Sequence, residues 1–222
     1  MRNLDDFAGC WCLLGMLDFN ASMLRLVDEI VRVVPEFRMI RTDRLRVSAT
    51  FNQSSSRSGL VAYLLPLKYK DGRPFERKIR GQRIYHYGMV PVYHNGSELL
   101  YIIYFMLPRF LNLSLREKLE TVIHELYHVS PHYNGDVRRL KGRSYLHGSS
   151  LKAYDRVIAA ITDRFLSASH DAEAYAFLKG NHSVIRRRFG KIEAMHVVEP
   201  KPTLLKVARL RPNTETQMTL FE

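Results

Sequence analysis

Two histidines four residues apart, with a glutamate after the first, can do hydrolytic chemistry: His124-Glu125-Leu126-Tyr127-His128. On a helix that spacing places both imidazoles on one face, about one turn apart, where they reach a single metal ion. Glu125 lies at the edge of the same face and can take a proton from metal-bound water. The expected chemistry is metal-assisted hydrolysis, most naturally of a peptide bond.

That chemistry requires a helix, and the flanking residues supply one. Ser114 precedes Leu115-Arg116-Glu117, the Ser-x-x-Glu order of a capping box. Pro131 and the Asn134-Gly135 turn end the helix near Val129. At roughly 100° per residue, Leu115, Leu119, Val122, Leu126 and Val129 form one apolar ridge. His124 and His128 fall on the other side, with Glu117 and Thr121 near them.

A catalytic zinc usually takes three protein ligands and keeps one position open. The place of the third histidine in the long metzincin pattern falls on Asn134, which excludes that arrangement. His132, Asp136 and His147 are the candidates, with Asp171 and Glu173 if the third ligand is a carboxylate. His147 is favoured because Gly148 allows the backbone to turn tightly beside a metal. The helix that follows can then bring its start over the site. His132 lies just past the helix end, where the chain has barely turned.

His-Glu-x-x-His followed by His147-Gly148-Ser149-Ser150-Leu151 resembles the SprT/Spartan-type zincins, whose third ligand sits in a His-Gly motif before a helix. Several segments resemble the phage metallopeptidase family more closely: 59–67 (GLVAYLLPL), 107–110 (LPRF), 118–128 (KLETVIHELYH), 131–142 (PHYNGDVRRLKG) and 145–148 (YLHG). The likeness spans roughly residues 40–170 and centres on a specific motif. It implies a zincin-like fold, zinc held by His124, His128 and His147, and Glu125 as general base. It also implies that Glu125 passes the proton on to the leaving amine. In zincins an edge strand above the motif helix pairs with extended substrate. By order along the chain that strand is 98–107, with Tyr101 and Tyr104 toward the groove. Tyr133, Arg143 and Tyr145 are the nearby candidates for a second oxyanion donor, and none is preferred.

The remaining chain reads as an α+β domain. A helix is expected over 22–34, capped by Ser22 and stopped by Pro35. Strands are expected over 44–51, 59–69, 83–93 and 98–107, with His94-Asn95-Gly96-Ser97 as a hairpin turn and a polar loop at 52–58. Residues 70–82 read as a charged excursion. Helical patterns recur at 151–166 and 171–178, and 191–212 reads as an extended tail. The architecture is then an N-terminal helix, a small mixed β-sheet, the motif helix and C-terminal helices. Residues 1–180 would form the peptidase domain and 181–222 a basic extension.

The 222 residues carry a net charge of +12, with basic clusters at 68–83 and 186–211, which favours a polyanionic partner such as nucleic acid. Gln217-Met218-Thr219-Leu220-Phe221 resembles the bacterial sliding-clamp-binding peptide. Cys10 and Cys12 lie too close to clip distant segments and read as reduced or buried thiols. Phe7–Cys10 is not a lipoprotein signal, because Asp5 and Asp6 stand where an apolar stretch is needed. Residues 99–107, the longest strongly apolar run, fall far short of a membrane span. The expected location is the cytoplasm. The leading expectation is a zinc peptidase acting on proteins, including those on DNA. The other is a nucleic-acid- or clamp-binding accessory protein with a structural or inactive zinc site.

Overall fold

The computed structural model describes residues 15–51, 59–169 and 171–209. The loop expected at 52–58, Cys10 and Cys12, and the clamp-like peptide at 217–221 lie outside the described residues.

The chain enters through β1 (Met16–Asp18) and turns into α1 (Phe19–Val33). Asp18, not Ser22, caps this helix: its carboxylate accepts from the Ala21 N–H at 2.9 Å. Ser22 is buried inside the helix. The start lies upstream of the expected one because Asp18 supplies the cap and the buried Phe19 extends the apolar face N-terminally.

Three strands form the central sheet in the order β2 (Leu45–Phe51), β8 (Tyr101–Leu107), β3 (Ala62–Pro66). β2 runs parallel to β8 and β3 antiparallel, so the sheet is small and mixed. β8 is buried on both faces, which explains its unbroken apolar sequence. Tyr101, Ile103, Phe105 and Leu107 face the main core with α1 and the later helices. Ile102 and Tyr104 face a second cluster with Leu67, Met89 and Leu99.

Residues 70–82 are more ordered than a charged excursion. They contain β4 (Phe75–Arg80), which pairs with β5 (Arg83–Gly88) across a turn at Gly81. Both faces of β4 carry charge, so no apolar–polar alternation marks it in the sequence. A short hairpin, β6 (Tyr93–His94) with β7 (Ser97–Glu98), turns at Asn95 and Gly96, both at positive φ as such turns require.

The motif helix is α2 (Leu115–Tyr127), followed by α3 (Leu151–Ala168) and α4 (His182–Phe189). Residues 172–178, expected as a helix, wind as a 3-10 helix. Of the segment expected as a tail, the described residues 191–209 do not hang free. They hold β9 (Lys191–Glu193), parallel to β1, and β10 (Thr203–Arg209), antiparallel to β5. Ile185, Phe189 and Ile192 join the main core, so packing continues past residue 180. The partners of these strands are distant in sequence, and local periodicity carries no trace of such pairing. The fold class is α+β, and no helix among the described residues is long and apolar enough to cross a membrane.

Candidate metal centre

α2 is set by its own ends. The Ser114 hydroxyl accepts from the Glu117 N–H at 3.3 Å, and the Glu117 carboxylate accepts from the Ser114 N–H at 2.7 Å. This reciprocal box fixes the first turn. Leu119, Val122, Ile123, Leu126 and Val129 are fully buried, whereas Leu115 is only partly so. The imidazoles therefore face away from the core. His128 occupies the C-cap and keeps a helical backbone, so the two rings stay in register one turn apart. Their Nε2 atoms approach to 3.0 Å.

His147 joins them from the loop between α2 and α3. One ligand atom from each of His124, His128 and His147 lies within 4.8 Å of the others. The loop is closed on itself: Ser144 and Gly148 exchange backbone hydrogen bonds of 3.0 and 2.7 Å, and the Ser144 hydroxyl accepts from the His147 N–H at 3.4 Å. Gly148 sits at φ +70°, a conformation that glycine adopts without strain. Gly142 is needed for space as well, since a Cβ there would come within 2.5 Å of the Ser149 nitrogen. Ser150 then caps α3, its hydroxyl accepting from the Ala153 N–H at 3.1 Å.

The first turn of α3 delivers Tyr154, which touches all three rings. It stacks on His128 and meets His124 and His147 edge-to-face, each at a centroid distance of 4.9 Å. Its hydroxyl lies 3.4 Å from His128 Nδ1, the nitrogen turned away from the cluster. Nothing in the sequence marks Tyr154, because it shares an apolar stripe with Ile158, Ile161 and Phe165 and looks like an ordinary core residue.

Burial sets the protonation of the site. His124 is lowered to about 4 by burial and by neighbouring His147, with Asp155 opposing. His128 is lowered to about 3 by burial, then by His124, His147 and Arg138. Both rings are thus neutral near pH 7 and offer lone pairs. Glu125 is buried, and its carboxyl is raised to about 7, although a backbone hydrogen bond from Leu64 works the other way. A carboxyl poised near neutrality is suited to accept and return a proton. Three convergent imidazoles, with a carboxyl beside them but outside the ligand set, suit a divalent first-row ion such as zinc.

Two cavities meet at this point. One, of about 730 Å³, runs between 59–62, α2 and the start of α3, and includes Glu117, Thr121, Asp155 and Arg156. The other, of about 580 Å³, holds all three histidines and is walled by β3 and by Tyr145 and Arg139. Leu60, Ala62, His124 and Glu125 line both, so the cleft is continuous past the carboxyl.

The other candidates go elsewhere. His132 is exposed and stands outside the cluster. The buried Asp136 carboxylate is occupied by Arg139, at 3.0 and 3.1 Å, and by the N–H groups of Asp71 and Val137. Burial pushes that carboxyl up, but these hydrogen bonds outweigh it and hold it below its usual range. Asp171 caps the 3-10 helix and Glu173 is exposed on it. Tyr133 is spent on the Arg41 carbonyl at 2.5 Å, Arg143 is exposed, and Tyr145 lines the cleft mostly exposed. The substrate-strand expectation also shifts. β8 is central, with partners on both sides, and Tyr101 and Tyr104 are buried. The edge strand beside the cleft is β3, whose Ala62 and Leu64 line it.

No protein-family model, curated protein or solved structure matches this chain. Its function is therefore read from the site itself.

Proposed function

We propose that this protein is a zinc-dependent peptidase of the His-Glu-x-x-His type with a zincin-like fold. His124, His128 and His147 hold the ion, and Glu125 is the general base. The observation that carries the reading is the buried Glu125 carboxyl beside three convergent histidines, in a cleft walled by the edge strand β3. A purely structural metal site has no need of a buried carboxyl held outside the ligand set.

When bound, the ion supplies Lewis-acid polarisation of the scissile carbonyl and a water of lowered pKa. Glu125 accepts the water's proton at its carboxylate and returns it to the leaving amine. Its elevated pKa favours the first transfer, because a more basic carboxylate is the better proton acceptor. Tyr154 holds the His128 ring from behind, through stacking and through Nδ1, and so fixes the direction of Nε2. An extended substrate adds to the outer side of β3, with backbone hydrogen bonds supplying most of the affinity, which favours flexible or unfolded protein.

The test compares wild type with Glu125→Gln, each loaded with zinc, on an unfolded protein such as reduced casein. Cleavage should fall about 10²–10⁴-fold while one zinc per chain is retained. Equal cleavage by the two proteins would refute the assignment.

A further inference from the structure

The second sheet is strongly cationic and lies against the cleft. Its three strands in the order β10–β5–β4 carry Arg77, Lys78, Arg80, Arg83, Lys206 and Arg209 against a single carboxylate, Glu76. The register sorts these into rows. At the outer end Arg80 lies opposite Arg83, and Arg83 opposite Arg209, so three guanidinium side chains from adjacent strands share one face. Directly opposed like charges destabilise a sheet. All three are exposed and make no ion pair among the described residues. Moving inward on the same face come Lys78 opposite Tyr85, then Glu76 opposite Tyr87.

Tyr85 and Tyr87 present nearly parallel rings, 16° apart in tilt and 6.5 Å between centroids. That separation is close to twice the roughly 3.4 Å rise between stacked bases. Lys78 lies 5.8 Å from the Tyr87 centroid and is neutralised by Glu76 at 3.1 Å, so the arginine row is the unbalanced charge. Glu76 itself lines the cavity that contains the three histidines.

We propose that this face binds single-stranded nucleic acid. The row of Arg80, Arg83 and Arg209 takes the phosphates, and Tyr85 and Tyr87 stack on the bases. Duplex offers the arginines equal charge but keeps its bases stacked on one another, so the tyrosines select a single strand. The bound strand runs from the arginine end toward the metal cleft, which brings proteins attached to it near β3. Binding itself is independent of the proposed peptidase activity.

The experiment measures fluorescence anisotropy of a labelled oligothymidylate of about 16 nucleotides against full-length protein over a salt series. Wild type should bind with affinity falling steeply with salt. Arg80→Gln/Arg83→Gln/Arg209→Gln should bind at least about tenfold more weakly and lower the salt slope by about 2, near 0.7 for each phosphate no longer neutralised. Its melting temperature should not fall, because the substitution relieves repulsion. Tyr85→Leu should weaken binding about 5- to 100-fold with the slope unchanged. Glu125→Gln should bind as wild type does, which separates this result from any failure of catalysis. Unchanged binding by the arginine variant, tighter binding of duplex than of single strand, or equal competition by polyglutamate would each overturn the proposal, the last by assigning the face to acidic polypeptides.

Discussion

The Tyr154 ring stacks on His128 with a centroid distance of 5.7 Å and 21° between planes, and its hydroxyl stands 3.4 Å from Nδ1. A helix outside the motif thus sets the orientation of a motif histidine. Tyr154→Phe keeps the packing and removes only the hydroxyl. Partners of this kind typically contribute 10–100-fold to metal affinity. We expect a loss of about that size in competition with a zinc-binding dye, at an unchanged melting temperature for the metal-free protein.

Proton competition for the metal should set in late. A histidine lowered to about 4 or 3 stays neutral well below the usual imidazole range. In the metal-free protein the folded state then binds fewer protons than the unfolded state from pH 6.5 downward. Stability is therefore lost as pH falls through that window toward the folded values. Zinc occupancy followed from pH 7 to 4 should hold to about pH 5. Release centred near pH 6.5 would show that burial does not protect these rings.

Glu125 has the opposite sign. Its folded pKa of about 7 exceeds the unfolded value, so its contribution to stability is full below about pH 4.5 and lost as pH rises through 7. Metal-free Glu125→Gln should be more stable than wild type at pH 8 by about 1–3 kcal/mol. The difference should shrink toward zero at pH 5. Urea unfolding at the two pH values measures it.

The position of His147, the proposed third ligand, depends on two glycines. Gly148→Ala meets nothing closer than 3.5 Å but must hold φ +70°, a cost of about 1–2 kcal/mol. Gly142→Ala combines φ +135° with a 2.5 Å clash against backbone. Metal affinity should fall in both variants and further in Gly142→Ala, with helical circular dichroism preserved because α2 and α3 carry their own caps.

The motif helix was legible in the sequence down to its capping box, because every determinant lies within α2 and its flanks. His147 was legible through its glycine. What escaped the sequence was pairing over distance. β4 shows charge on both faces, and β10 is exposed on nearly every residue, so neither bears the alternation that marks a strand with one buried face. Assigning the edge strand by order along the chain failed because β3, earlier in sequence, pairs on the outside of β8. Tyr154 was invisible for a related reason: its distinction is its neighbours, not its spacing.

The two strands nearest the described C-terminal end have a temporal consequence. β9 closes onto β1, and β10 closes onto β5. On the ribosome, β5 emerges long before its outer partner exists. Until then it offers an open ladder of backbone donors and acceptors to any neighbouring chain. A nascent chain halted before residue 203 would carry the histidines, α2 and α3 yet still expose that ladder. Self-association on the polysome, rather than loss of the histidine cluster, is then the chief hazard of incomplete synthesis.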